Sequence, residues 1–227
     1  MRTIRWLSVL VALGVAPVAS ASFHFMQIEQ VIGGVEGDTT QQAIQLRTRA
    51  GGQNIVSQAR LRAFDAVGGS PVLLVDMGSN VPMSGAGVRI LIATPEFAAA
   101  QGVVPDFIMT SPIPVSYLAA GRITFEQDTG TILWSLAWGG AGYTGSNIGD
   151  TDNDANGDFG PPFADPLPSA GVEALLFPGS VSAQSTTNLA DYQITEGPAL
   201  FTNNAGESEI VFGNDASAIF SDGFEDP

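Results

Sequence analysis

Hydrophobic and polar residues alternate with a period of two along much of this chain, the signature of strands with one face inward and one outward. Over residues 43–49, Ile44, Leu46 and Thr48 fall on one side and Gln45, Arg47 and Arg49 on the other, which predicts a half-buried strand. Residues 60–64 repeat the device, with Leu61 and Ala63 opposite Arg60 and Arg62, while Val88, Ile90 and Ile92 alternate with Arg89 and Leu91. Residues 25–32 read as an opening strand stopped by Gly33-Gly34. Residues 71–75 read as a buried strand entered from the Gly68-Gly69-Ser70 turn, with Pro tolerated at its first position.

The clearest hairpin runs from Arg122 to Trp138 through the turn Gln127-Asp128-Thr129-Gly130. Its return strand puts Ile132, Trp134, Leu136 and Trp138 on one face. Aromatic stripes at strand period usually point inward, so this face is expected as core; its alternative is an exposed carbohydrate-stacking platform. Helix is scarce. Thr94-Pro95-Glu96 supplies an N-cap and a Pro at the first helical position, with Gly102 as a stop, and residues 116–121 suit another single turn.

After Trp138 the texture changes. Residues 139–169 are rich in Gly, Asp, Asn and Pro, too long for an ordinary connection and therefore expected as a functional loop, a metal loop or a linker. Beyond them, residues 172–177, 191–195, 199–202 and 207–212 read as further short strands between turn residues. Many short strands with turn signals and no internal repeat predict an all-β fold, an antiparallel β-sandwich with one or two short helical turns and one long acidic loop.

The N-terminus reads as an export signal: Arg2 and Arg5, then the apolar run of residues 6–18, then Ala19-Ser20-Ala21 as the cleavage site. The expected organisation is a signal peptide over residues 1–21, a β-sandwich domain over 22–218 and a tail over 219–227. No later segment is long and apolar enough to span a membrane. The mature chain is thus expected outside the inner membrane, secreted, periplasmic or at the cell surface.

Composition narrows the chemistry further. The chain has no Cys, and its eight basic residues are all Arg, which excludes disulfides, thiolate catalysis and lysine Schiff bases. The single His, His24, leaves no basis for a Ser-His-Asp triad or a multi-His metal site. Removing Arg2 and Arg5 takes the formal net charge from −15 to −17, so nucleic acid and anionic membranes are poor partners. Nothing after Arg122 is basic.

One motif in the acidic loop carries chemistry. Asp152-Asn153-Asp154-Ala155-Asn156-Gly157-Asp158 matches the front half of the calcium-loop pattern, in which oxygen side chains at alternate positions converge and a Gly makes the sharp bend. The position of the usual bidentate Glu holds Phe163, with Asp165 close enough in sequence to substitute and Asp150 able to add an oxygen. Calcium is the cofactor this set suits, with ligands expected from Asp150, Asp152, Asp154, Asn156, Asp158 and Asp165. The other reading is a solvated loop, since Asp, Asn and Gly are ordinary turn residues.

Arg47, Arg49, Arg60 and Arg62 form the second constellation. If their two strands are neighbours, the four guanidiniums share one sheet face and make a site for an anion or an acidic partner. Otherwise they are surface ion pairs. Carboxylates alone could run glycoside hydrolysis, but no spacing singles out an acid and a nucleophile, and no G-x-S-x-G elbow is present, so no catalytic residue is assigned.

Residues 26–31, Gln42-Ala43-Ile44-Gln45-Leu46-Arg47 and Leu61-Arg62-Ala63-Phe64-Asp65 before Gly68-Gly69 resemble the opening of bacterial lamin-tail-like domains. The resemblance covers about residues 25–77 and implies an immunoglobulin-like β-sandwich serving as an extracellular attachment module, with no catalytic residues to carry over. The acidic insertion after Trp138 departs from that pattern. Ile219-Phe220-Ser221-Asp222-Gly223-Phe224-Glu225 resembles a short tail that ends many exported proteins of Gram-negative bacteria. Together these features lead us to expect a non-catalytic module that binds a protein or polysaccharide. The alternative is a carboxylate-dependent glycoside hydrolase or a carbohydrate-binding module using the Trp134/Trp138 face.

Overall fold

Burial, more than propensity, decides which of the predicted strands become long ladders. The computed structural model describes residues 23–213, so the expected signal segment and C-terminal tail lie outside the described residues. Among the described residues five strands precede any helix: β1 (Met26–Ile32), β2 (Ala43–Thr48), β3 (Ala59–Phe64), β4 (Val72–Met77) and β5 (Arg89–Ala93). Helix α1 (Pro95–Gln101), the two-residue β6 (Phe107–Ile108) and the single turn α2 (Val115–Leu118) lead to the hairpin β7 (Gly121–Gln127) and β8 (Ile132–Trp138). The remaining elements are short: β9 (Leu175–Leu176), α3 (Asn188–Asp191), β10 (Gln193–Ile194), β11 (Leu200–Thr202) and β12 (Ser208–Ile210).

Two sheets face each other. The first has the order β10-β9-β1-β2-β5-β6 and is antiparallel except for the β5/β6 pair; the second, β4-β3-β7-β8, is antiparallel throughout. Register places like with like: Ile28 lies opposite Leu46 and Leu46 opposite Ile90 in the first sheet, Leu61 opposite Phe125 and Phe125 opposite Trp134 in the second. These side chains join one buried cluster between the layers, together with Leu136 and Trp138. The all-β expectation therefore holds, and the chain crosses from one layer to the other between β2 and β3.

The first sheet departs from the half-buried pattern. Every residue of β1 and β2 is buried, Gln45 and Arg47 included. Its outer face carries a second core, in which Ile32, Ala43 and Leu91 meet Phe97 of α1 and Phe201 of the small β11–β12 hairpin, whose rings pack edge to face at 5.4 Å. A polar residue on that face is thus enclosed and needs a partner; Gln45 donates to Glu29 at 2.8 Å. The opposite change occurs in β4, where Leu73 and Asp76 are exposed and Leu74 and Val75 buried, because this is an edge strand of the second sheet and not a central one.

The local signals around α1 act as the sequence implies. Thr94 accepts from the Phe97 N–H at 3.2 Å, and Gly102 ends the helix in the left-handed region with φ 71°. At the far end of the β7–β8 hairpin, Gly139 turns the chain with φ 94°, and a Cβ there would meet the Ala119 carbonyl oxygen and the Ala120 Cβ at 2.5 Å. Gly139→Ala is expected to lower unfolding stability by about 3 kcal/mol, combining the positive φ with the clash, as read by urea denaturation.

Candidate functional site

Strand β8 ends the second sheet, so half of its backbone polar groups face away from β7 and have no strand to pair with. The residues that meet this demand come from the acidic loop and from α3. Asp150 N–H donates to the Ile132 carbonyl at 2.8 Å, Asn153 Nδ2 to the Leu133 carbonyl at 2.8 Å and Phe163 N–H to the Ala137 carbonyl at 2.9 Å. Asn188 acts twice: its Nδ2 donates to the Ser135 carbonyl at 3.1 Å, and its Oδ1 accepts from the Ala137 N–H at 2.8 Å. Asn147 fixes Asn188 by donating to the same Oδ1 at 2.6 Å, while Ser135 Oγ donates to Asn147 Oδ1 at 2.6 Å.

Apolar anchors pin the loop between these contacts. Phe159 is fully buried against Trp134, with ring centroids 5.7 Å apart, and Tyr143, Phe163 and Leu167 are also buried. Residues 139–169 are thus a cover for an edge strand, not a linker. Tyr143, Asn147, Phe159, Phe163 and Leu167 fall at multiples of four along the loop, a spacing visible in the sequence and not otherwise expected of solvated chain.

Within this cover, the calcium-like motif has a defined geometry. Asp154 Oδ1 accepts from the N–H groups of Asn156 and Gly157 at 3.0 and 2.9 Å, and Asn156 Oδ1 accepts from Asp158 N–H at 2.8 Å. Gly157 has φ 74°, and a Cβ on it would lie 2.7 Å from the Gly149 carbonyl oxygen; the bend needs glycine. Asp152 Oδ2 meets His24 Nδ1 at 2.9 Å. Arg49 clamps the segment from the first sheet, donating from Nη1 to the Asp152 carbonyl and to Asn153 Oδ1, both at 2.9 Å. Asp150 accepts from Asp152 N–H at 3.1 Å, and its carboxyl is pushed up to about 6, mainly by withdrawal from water and further by the Asp152 charge.

The six expected ligands do not form one group. Asp150 is tied to Ile132, at the start of β8, whereas the Asp165 carbonyl accepts from Gly139 N–H just past its end. The strand between them has seven residues, which at about 3.3 Å each separates the two by about 20 Å. Asp165 is therefore not a member of the site. Among the described residues no three His, Cys, Asp or Glu side chains converge as metal ligands. Asp154 stands apart from the others: it is 2% exposed, and its Oδ2 has no hydrogen-bond partner.

The four-arginine face is also corrected. Strand β2 pairs with β1 and β5, and β3 pairs with β4 and β7, so Arg47 and Arg49 lie in a different layer from Arg60 and Arg62. Each layer has its own buried glutamate instead. Glu29 binds Arg47 Nη1 at 2.8 Å and Arg89 Nε at 2.7 Å; Glu126, fully buried, binds Arg62 Nη2 at 2.7 Å and Arg60 Nε at 3.2 Å. Arg122, the remaining arginine of the described chain, lies 4.3 Å from the Phe64 ring and donates to the Ser146 carbonyl at 2.6 Å. Glu29 and Glu126 were not singled out by the sequence reading; their signal was that each is the lone acid of its strand.

Trp134 and Trp138 are fully buried, and their indole N–H groups donate to Tyr192 Oη and to the Tyr117 carbonyl, both at 2.9 Å. They are core, as the strand period implies, and offer no stacking platform. Comparisons with protein-family models, with curated proteins and with solved structures each return no match. The fold itself defines the class: an all-β protein of two facing sheets with a covered edge. Asn188→Ala would strand the Ala137 N–H and the Ser135 carbonyl inside that cover. The variant is expected to lose about 3 kcal/mol of stability in urea unfolding.

Proposed function

We propose that this chain is an exported, non-catalytic β-sandwich module with a binding or structural role outside the inner membrane of a Gram-negative bacterium, as the lamin-tail-like opening and the C-terminal motif imply. The observation that supports this reading most is the use to which its buried polar groups are put. All six arginines of the described chain hold glutamates, an aromatic ring or loop carbonyls. Asn153 and Asn188, both buried, hold a strand edge. This polar machinery maintains a scaffold, and its surplus of carboxylates is left for the surface. Such a surface suits a soluble module whose partner, a protein or a polysaccharide, is recognised without anionic character of its own. A carbohydrate-binding role for the Trp134/Trp138 face has no exposed tryptophan to rest on.

Expression of the full chain in a Gram-negative host tests the export reading. The protein is expected outside the inner membrane with Ser22 as its N-terminal residue, determined by mass spectrometry of the fractionated product. Deleting residues 219–227 is expected to leave the thermal midpoint unchanged while altering where the protein accumulates. Full-length, unprocessed protein in the cytoplasm would overturn the reading.

A further inference from the structure

A carboxylate removed from water needs partners for both oxygens, and a buried oxygen left without one marks the place of a water or an ion. Asp154 is such a group. It is 2% exposed, its Oδ1 is held by two neutral N–H groups, and its Oδ2 has no partner. No ion pair to Asp154 exists among the described residues, so neither contact neutralises its charge. The two N–H bonds fix one carboxylate oxygen against the 154–157 turn, and in sequence Asp154 stands between Asp152 and Asn156 in the alternating oxygen pattern.

We propose that Asp154 Oδ2 anchors a single hard divalent cation of the calcium class, bound within residues 152–158. The inference rests on the buried carboxylate and not on the export reading. Calcium accepts backbone and amide carbonyls and waters beside carboxylates and tolerates irregular geometry, whereas magnesium requires a near-octahedral shell. With one buried carboxylate and no converging trio of acids, the site is low in charge. Its dissociation constant is therefore expected at about 10⁻⁴–10⁻³ M, the range of extracellular modules. Filling it would neutralise Asp154 and stiffen the cover over β8.

The test is the thermal melt and calorimetric titration of the processed chain, residues 22–227, with calcium chloride, with magnesium chloride at equal ionic strength, and with chelator. At a hundredfold excess over the dissociation constant, calcium is expected to raise the midpoint by about 5 °C, with one ion per chain and little response to magnesium. Asp154→Asn keeps an oxygen for the two N–H donors and is expected to lose the calcium shift, while Glu209→Gln, on the exposed strand β12, retains it. Absence of a shift in the wild type, an equal response to magnesium, several weak ions per chain, or an undiminished shift in Asp154→Asn would each overturn the proposal. If Asp154→Asn does not fold, the wild-type stoichiometry and calcium preference decide alone.

Discussion

The outer edge of β8 is the constraint on which the rest of the structure depends. This strand carries both buried tryptophans of the described chain and faces the first sheet across the main core, so it cannot fray without opening that core. Its outward N–H and carbonyl groups are close to buried apolar surface, where an unpaired amide costs more than a hydrogen bond returns. Adding another strand would satisfy them but would leave a new edge. The chain uses side-chain amides and single backbone contacts instead, from Asn153, Asn188, Asp150 and Phe163. An edge closed in this irregular way offers no template for a second chain.

That solution dictates the composition of residues 139–169. The segment must reverse direction several times while meeting β8 at intervals, which calls for glycine at positions such as Gly139 and Gly157 and for short polar side chains that bond their own backbone. Phe159, Phe163 and Leu167 then supply the burial that offsets the entropy of ordering a loop of this length. The acidity of the loop follows from the same choice of residues.

Charge is distributed on a related principle. Each sheet encloses one glutamate between two arginines, Glu29 with Arg47 and Arg89, Glu126 with Arg60 and Arg62. Buried ion pairs of this kind add little net stability over apolar residues, but removing one member leaves an uncompensated charge, so they specify which strands lie side by side. With the bases so engaged, the negative charge that remains is free to define the exterior.

Local pattern alone was enough to place β1, β2, β3, the β7–β8 hairpin and α1 with its Thr94 and Gly102 ends, because period-two alternation, capping and turn chemistry depend only on neighbours in the chain. It also directed Trp134 and Trp138 inward. Which strands pair is a different kind of fact: the alternation in residues 43–49 and 60–64 is the same whether the two lie side by side or in opposite layers, and only the crossover after β2 separates Arg47 from Arg62. Likewise, the polar face of β2 reads as solvent-facing until α1 and the β11–β12 hairpin are laid over it, and Asp165 reads as a neighbour of Asp150 until β8 is seen to hold them apart. Sequence determined the class of fold, its turns and its acidic character. Tertiary structure alone decided the long-range partners of the buried polar groups, such as Glu126 with Arg60 and Arg62 or Asn188 with β8, because those partners lie tens of residues apart in the chain, where periodicity carries no information.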